Sequence, residues 1–206
     1  MRALIALFFI GALALPASSD LTAQMQDPEI GAAAPAFTLP DTYGEEHSLS
    51  DFAGKWVVLE WLNYGCPFVQ KHYRSGNMQQ LQAEYGEKGV VWLAVVSSAP
   101  GKQGYYEPDA MNEQNEAHEN KAAAVLLDPE GTVGMAYGAQ TTPQMYVINP
   151  EGVLLYNGAI DDKPSSRVSD IDGAHNYLVQ ALDEAMAGQP VSQPTTKPYG
   201  CSVKYK

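Results

Sequence analysis

Cys66 sits where a thiol can be made reactive. The run Trp56-Val57-Val58-Leu59-Glu60-Trp61-Leu62 is nearly all apolar and reads as a strand, and Asn63-Tyr64-Gly65-Cys66-Pro67 then turns the chain into a helix. Pro67 suits the first helical position, where its missing N–H costs nothing. Free N–H groups and the positive end of the helix dipole favour a thiolate at that point, and the thiolate is the form that attacks peroxides and disulfides. Lys71 and His72, one to two turns along, add positive potential if they face the same way. The competing reading is a buried structural cysteine, a common fate of a free Cys. The other cysteine is Cys201, near the chain's end. The two could pair, or one could be a reactive thiol and the other its resolving partner.

Few other residues compete for a chemical role. Thr142-Pro143 precedes a core strand, where a proline marks a bulge, an edge or a cis bond; taken alone, the dipeptide favours trans. His47, His72, His118 and His175 show no metal-ligand spacing with one another or with Cys66, so no metal or other cofactor is expected. His118 falls in a polar helix and reads as solvated, and His175 opens a helix. No Gly-rich phosphate loop or Ser/His/Asp constellation stands out.

The elements that must hold Cys66 follow from pattern. Phe37-Thr38-Leu39 is extended and leads into a turn at Asp41–Gly44, and Ser48–Phe52 makes one helical turn. The strand Trp56–Leu62 is followed by a helix running toward Gly86, which Gly76 kinks or breaks. Val90–Val96 is a second buried strand, and 97–109 is a long polar stretch. A surface helix is expected over 110–123, a short strand at Val125–Leu127 and a short helix at Thr132–Tyr137. Met145–Ile148 and Val153–Gly158 form a hairpin around Asn149-Pro150-Glu151-Gly152. A last helix spans 173–187, with Tyr177, Leu178, Ala181, Leu182, Ala185 and Met186 on one face. This order implies an α/β fold with a mixed sheet and helices on both faces.

Residues 1–19 read as a secretory signal. Arg2 is followed by an uncharged apolar run from Ala3 to Leu15, too short to span a bilayer, and then by Pro16 and small residues. Cleavage is expected near Ser19, which puts the mature protein in a periplasmic or secreted setting. Residues 20–30 read as a linker, 31–190 as one domain, and 191–206 as a polar tail carrying Cys201. Lys and Arg total 12 against 24 Asp and Glu, a net charge of −12. Such a surface repels phosphate backbones and anionic lipid heads, so neither nucleic acid nor a membrane surface is an expected partner.

Gly31, Ala34-Pro35, Phe37-Thr38-Leu39, Asp41, Gly44, Ser48-Leu49, Phe52 and Gly54-Lys55 together resemble the N-terminal signature of redoxins. These are the thioredoxin-fold proteins that join peroxiredoxins of the alkyl hydroperoxide reductase C and thiol-specific antioxidant type with exported thiol–disulfide proteins. The resemblance runs from about Gly31 to Ala187. Asn63-Tyr64-Gly65-Cys66-Pro67-Phe68-Val69 with Lys71-His72-Tyr73, and the closing Lys197-Pro198-Tyr199-Gly200-Cys201-Ser202-Val203-Lys204, resemble one peroxiredoxin-like subgroup. The resemblance implies a thioredoxin-like fold, Cys66 as nucleophile, and a cis Pro143 facing it. It also implies that Thr142 presents its backbone to substrate.

The chain departs from the family at two places. Where peroxiredoxins carry a Thr or Ser three residues before the cysteine, Asn63 stands here, an amide donor in place of a hydroxyl; Leu59 replaces their Pro. A C-x-x-C motif would need a second cysteine at Val69. The primary expectation is a peroxiredoxin-like, antioxidant thiol peroxidase in which Cys66 attacks a hydroperoxide and Cys201, on a mobile tail, resolves the sulfenic acid. Arg74 or Arg167 is the basic group available to polarise the peroxide, and an external thiol supplies the electrons. The alternatives are an exported thiol–disulfide oxidoreductase acting on a protein disulfide, and a non-catalytic redoxin-fold binding or sensing module.

Overall fold

The computed structural model describes residues 28–206; the expected signal and all but the end of the expected linker lie outside the described residues. Strands β1 (Thr38–Pro40) and β2 (Glu46–Ser48) form a small antiparallel hairpin. The central sheet follows with β3 (Val57–Trp61), β4 (Val91–Val96), β5 (Ala124–Leu127), β7 (Met145–Ile148) and β8 (Leu154–Gly158). Its order is β5-β4-β3-β7-β8, with β3, β4 and β5 parallel and β7 and β8 antiparallel to their neighbours. This is the expected mixed sheet, and β3 lies at its centre.

Side chains of β3 alternate between two cores, as the strand period requires. Val58 joins a cluster with Val69, Tyr73, Met78, Leu81, Tyr85, Leu178 and Leu182, under helices α1 (Pro67–Arg74), α2 (Asn77–Glu87) and α5 (Tyr177–Met186). Val57, Leu59 and Trp61 join Phe37, Leu39, Val133, Tyr137 and Leu154 on the opposite face, under α4 (Thr132–Ala136) and the β1 segment. Each fully buried Val or Leu contributes roughly 1.5–3 kcal/mol, which fixes the β3 frame that carries Cys66. Among the described residues no helix is long and apolar enough to cross a membrane.

Gly76 does break the long helix, adopting φ 76° between α1 and α2. Two other helices are shorter than the periodicity predicts. The surface helix α3 (Pro108–Ala117) ends six residues early; it buries only Met111, so no apolar stripe carries it on. Asn120 instead turns its side chain back to Tyr64 Oη at 2.7 Å and to Ala122 N at 2.8 Å. Helix α5 starts at Tyr177, not Gly173, because the Asn176 side chain accepts from Val179 N and caps it there.

The largest difference concerns the tail, which is docked along the domain. Strand β9 (Cys201–Ser202) pairs antiparallel with β6 (Thr141–Thr142), Val203 is buried in the second core, and Ala99 N donates to Lys204 O at 2.8 Å. Tyr205 lies over Gly131 and Gly134, where any Cβ would collide with its ring or hydroxyl, and its Oη donates to Ala139 O at 2.7 Å. Composition alone read this segment as free; sparse but specific contacts hold it.

Candidate active site

Cys66 is the N-cap residue of α1, in extended geometry (φ −85°, ψ 123°) with Pro67 following it, and its side chain is fully buried. The loop before it is tightly tied. Cys66 N donates to Asn63 O at 2.9 Å, and Gly65 N to Asn63 Oδ1 at 2.8 Å. Asn63 Nδ2 donates to Gln103 O at 3.2 Å, and Gln103 Nε2 to Gly65 O at 3.0 Å. Both ends of the Asn63 side chain thus brace the loop, its oxygen to Gly65 and its amide nitrogen to Gln103.

The Thr142–Pro143 bond is cis, as the family resemblance implies. It brings Thr142 O to within 3.1 Å of Cys66 Sγ, which donates to it as a thiol. Register in the β6–β9 ladder places Cys201 opposite Thr142, so the two cysteines, far apart in sequence, come together beside Pro143. Both are free thiols.

The two thiols are electrostatically unequal. Burial works against ionising Cys66, but the Cys201 thiol, the Val69 and Cys201 amides and the Thr142 side chain outweigh it and hold Cys66 below the usual thiol range. Thr142 Oγ1 is buried with no hydrogen-bond partner while the sulfur is protonated, so its proton is free for the anion. Cys201 is pushed up by burial and by the neighbouring Cys66 sulfur. One thiol is thus prepared to be an anion and the other to remain protonated beside it.

Lys71 and His72 do not serve the thiolate. Lys71 is fully buried, and its Nζ lies 3.0 Å from Asp161 Oδ2, 2.9 Å from Lys163 O and 3.2 Å from Tyr199 Oη. Tyr199 Oη in turn donates to Asp161 Oδ1. His72, equally buried, is pushed down to about 4 by desolvation, which its 3.8 Å approach to Asp161 only partly offsets. It is neutral at pH 7. Asn77 Nδ2 donates to its Nδ1 at 2.9 Å, which assigns the remaining proton to Nε2. Of the two arginines, Arg167 is exposed and pairs with Asp170, and Arg74 is exposed at the C-terminal end of α1.

Sequence reasoning missed Asp161, Tyr199 and Glu60. Asp161 gave no signal within a polar loop. Tyr199 lies in the tail motif but reads as ordinary there. Glu60 did leave a trace, as the lone charge in a buried strand. It accepts from Trp92 Nε1 at 2.9 Å, Gln82 Nε2 at 3.2 Å and Tyr73 Oη at 3.1 Å, and desolvation pushes it up to about 7. His118, read as solvated, is half-buried and stacks on Tyr64 at 4.1 Å. As for metals, Asp41, Glu45 and His47 bring ligand-type atoms within 4.8 Å of one another. Asp41 already accepts from Tyr43 N, Glu45 N and His47 there, which accounts for that cluster as a turn.

A thiol at a helix start opposite a cis-proline, on a mixed sheet with helices on both faces, defines a thioredoxin-fold, thiol-dependent oxidoreductase. Within that class the chain belongs to the AhpC/TSA family, which matches residues 30–157. It is 27% identical over 152 residues to the thiol-disulfide oxidoreductase ResA of Geobacillus thermodenitrificans, covering 74% of this chain and 82% of that one. It is 29% identical over 132 residues to a peroxiredoxin-like protein of Mycobacterium tuberculosis, covering 64% and 78%. The crystal structure of an uncharacterised conserved protein from Geobacillus kaustophilus superposes with TM-score 0.74 at 28% identity, over 86% of this chain and 93% of that one. The thioredoxin domain of a thiol-disulfide oxidoreductase from Bacteroides vulgatus, at TM-score 0.52 and 19% identity over 71% of this chain and 97% of that one, shares the fold.

Proposed function

We propose that this protein carries out thiol–disulfide exchange, with Cys66 as nucleophile and Cys201 as the thiol that resolves it. The observation that carries this reading is that Cys201, set opposite Thr142 by the β6–β9 register, lies against Cys66, with Cys66 depressed and Cys201 raised. The Cys66 thiolate attacks one sulfur of a substrate disulfide, and the other half leaves as a thiolate that takes a proton from solvent. Cys201 then loses its proton and attacks Cys66 Sγ, breaking the mixed disulfide and releasing the second substrate thiol. The substrate gains two electrons, the protein keeps a Cys66–Cys201 disulfide, and an external dithiol restores it. The ResA relatives support this chemistry. Residues 1–19, with their signal-like pattern, support export to a compartment where disulfides persist.

Hydroperoxide reduction is the second reading, favoured by the family and by the peroxiredoxin-like relative. There Cys66 takes one peroxide oxygen to become a sulfenic acid, an alcohol leaves, and condensation with Cys201 releases water. Against it, Asn63 offers an amide that braces the loop where a hydroxyl would activate peroxide, and Arg167 is paired with Asp170. The two readings share an oxidised state and differ in oxidant. Stopped-flow mixing of reduced protein with a peptide disulfide and with hydrogen peroxide is expected to show faster oxidation by the disulfide. Peptide mapping of the product is expected to show Cys66 joined to Cys201. Faster oxidation by peroxide would favour the second reading, and a product lacking that bridge would overturn the resolving role in both.

A further inference from the structure

We propose that residues 197–206 form a tethered strand competing with an extended, cysteine-bearing polypeptide for the β6 edge, so that the strand's return ejects the substrate as Cys201 resolves it. This rests on Cys66 and Cys201 being a redox pair, and it adds how that pair is opened and closed. Among the described strands, β6 has one partner, β9. On the edge that faces β9, an extended chain can bond only when β9 is absent, since that edge offers one row of donors and acceptors. Cys66 has no exposed surface with the strand in place, so a polypeptide disulfide must displace it to reach the sulfur.

The strand already has the form of a substrate. It runs antiparallel to β6, with its thiol opposite Thr142 and beside Cys66. Gly200, just before that thiol, holds φ 146°, and a Cβ built there runs into Thr142 O. The close approach that delivers Cys201 therefore admits only glycine at this position. The docked strand is held at points on either side. Tyr199 Oη bonds into the Lys71–Asp161 pair, Val203 N donates to Gln140 O at 2.9 Å, and Tyr205 grips the α4 end.

In the cycle, a polypeptide disulfide takes the edge, Cys66 forms the mixed disulfide and the first half leaves. The strand then returns, Cys201 attacks Cys66 Sγ, and the bond to substrate breaks as its backbone loses the edge. Chemical resolution and physical release become one event.

The test is made in full-length protein carrying Cys201→Ser, where no internal disulfide can form, so its outcome is independent of whether the cysteines bridge. Labelling of Cys66 by a bulky polyethylene-glycol maleimide is compared before and after adding Gly200→Ala, and separately Tyr199→Phe. Gly200→Ala is expected to speed labelling about tenfold, equivalent to ~1.4 kcal/mol in strand docking, and Tyr199→Phe to speed it less. A synthetic peptide of residues 197–206 with serine at position 201 is expected to slow labelling of the opened protein again. Tyr199→Phe keeps the ring that packs on Phe68, so it reports on the anchor even if Gly200→Ala folds poorly. Unchanged labelling in the variants, or no protection by the peptide, would overturn the proposal.

Discussion

Helix α1 grips two buried carboxyl groups, and it does so in opposite ways. Tyr73 reaches Glu60, whose other partners, Trp92 and Gln82, are also neutral donors; among the described residues no cation pairs with it, and the group is pushed up to about 7 by burial. Two residues earlier, Lys71 reaches Asp161, where a full ion pair is shared with Tyr199 of the tail. The first carboxyl belongs wholly to the sheet and its helices. The second joins the domain to the segment that brings Cys201. One helix thus carries Cys66 at its start, a pH-sensitive core contact in its body, and an anchor for the strand that bears Cys201.

The contrast is broken most severely at Lys71. Replacing it in Lys71→Met leaves Asp161 buried without its cation, and the expected loss is ~3–5 kcal/mol in denaturant unfolding. Equal stability would mean that the pair is dispensable and that the tail is held by other contacts alone.

Glu60 sharpens the other side. Its folded pKa lies above the ordinary value of ~4.3, so folding favours the protonated form. That contribution is fully present below about pH 4 and is lost as pH rises through about 7. Glu60→Gln mimics the protonated group and keeps acceptors for Trp92 and Gln82. Relative to the parent, it is expected to gain on the order of 3 kcal/mol between about pH 4 and about pH 8, read as unfolding free energy. A pH-independent difference between the two proteins would show that Glu60 is not the titrating group.

The smallest effect is at Thr142. Thr142→Val keeps the shape and removes the one buried hydroxyl free to donate to the sulfur, so the Cys66 pKa is expected to rise by about one unit. Ultraviolet absorbance of the thiolate against pH reads this directly, and an unmoved pKa would leave the Cys201 thiol and the backbone amides as its support.

The sequence made the central features legible where one local rule dominated. The apolar run into Asn63-Tyr64-Gly65-Cys66-Pro67 defines β3 and the α1 start without reference to the rest of the chain. The cis state of Pro143 came from resemblance, since the dipeptide alone favours trans. What was illegible depended on long-range contact. Lys71 and His72 looked like positive charge for the thiolate, yet the helix turns them toward Asp161, ninety residues on in the case of Lys71. That Asn63 also braces its loop through Gln103, forty residues on, has no local signal either. The tail looked mobile because its anchors, Tyr199, Val203 and Tyr205, are single residues spaced along a polar segment, with no periodicity to reveal them.

The central claim is that Cys66 is the prepared nucleophile and Cys201 its protonated partner. Following the Cβ chemical shifts of both cysteines by NMR across pH in the reduced protein tests it without requiring access to the buried sulfur. Cys66 is expected to ionise below the free-thiol value of ~8.5 and Cys201 well above it. Cys201 ionising first, or both titrating together at the free-thiol value, would contradict the assignment.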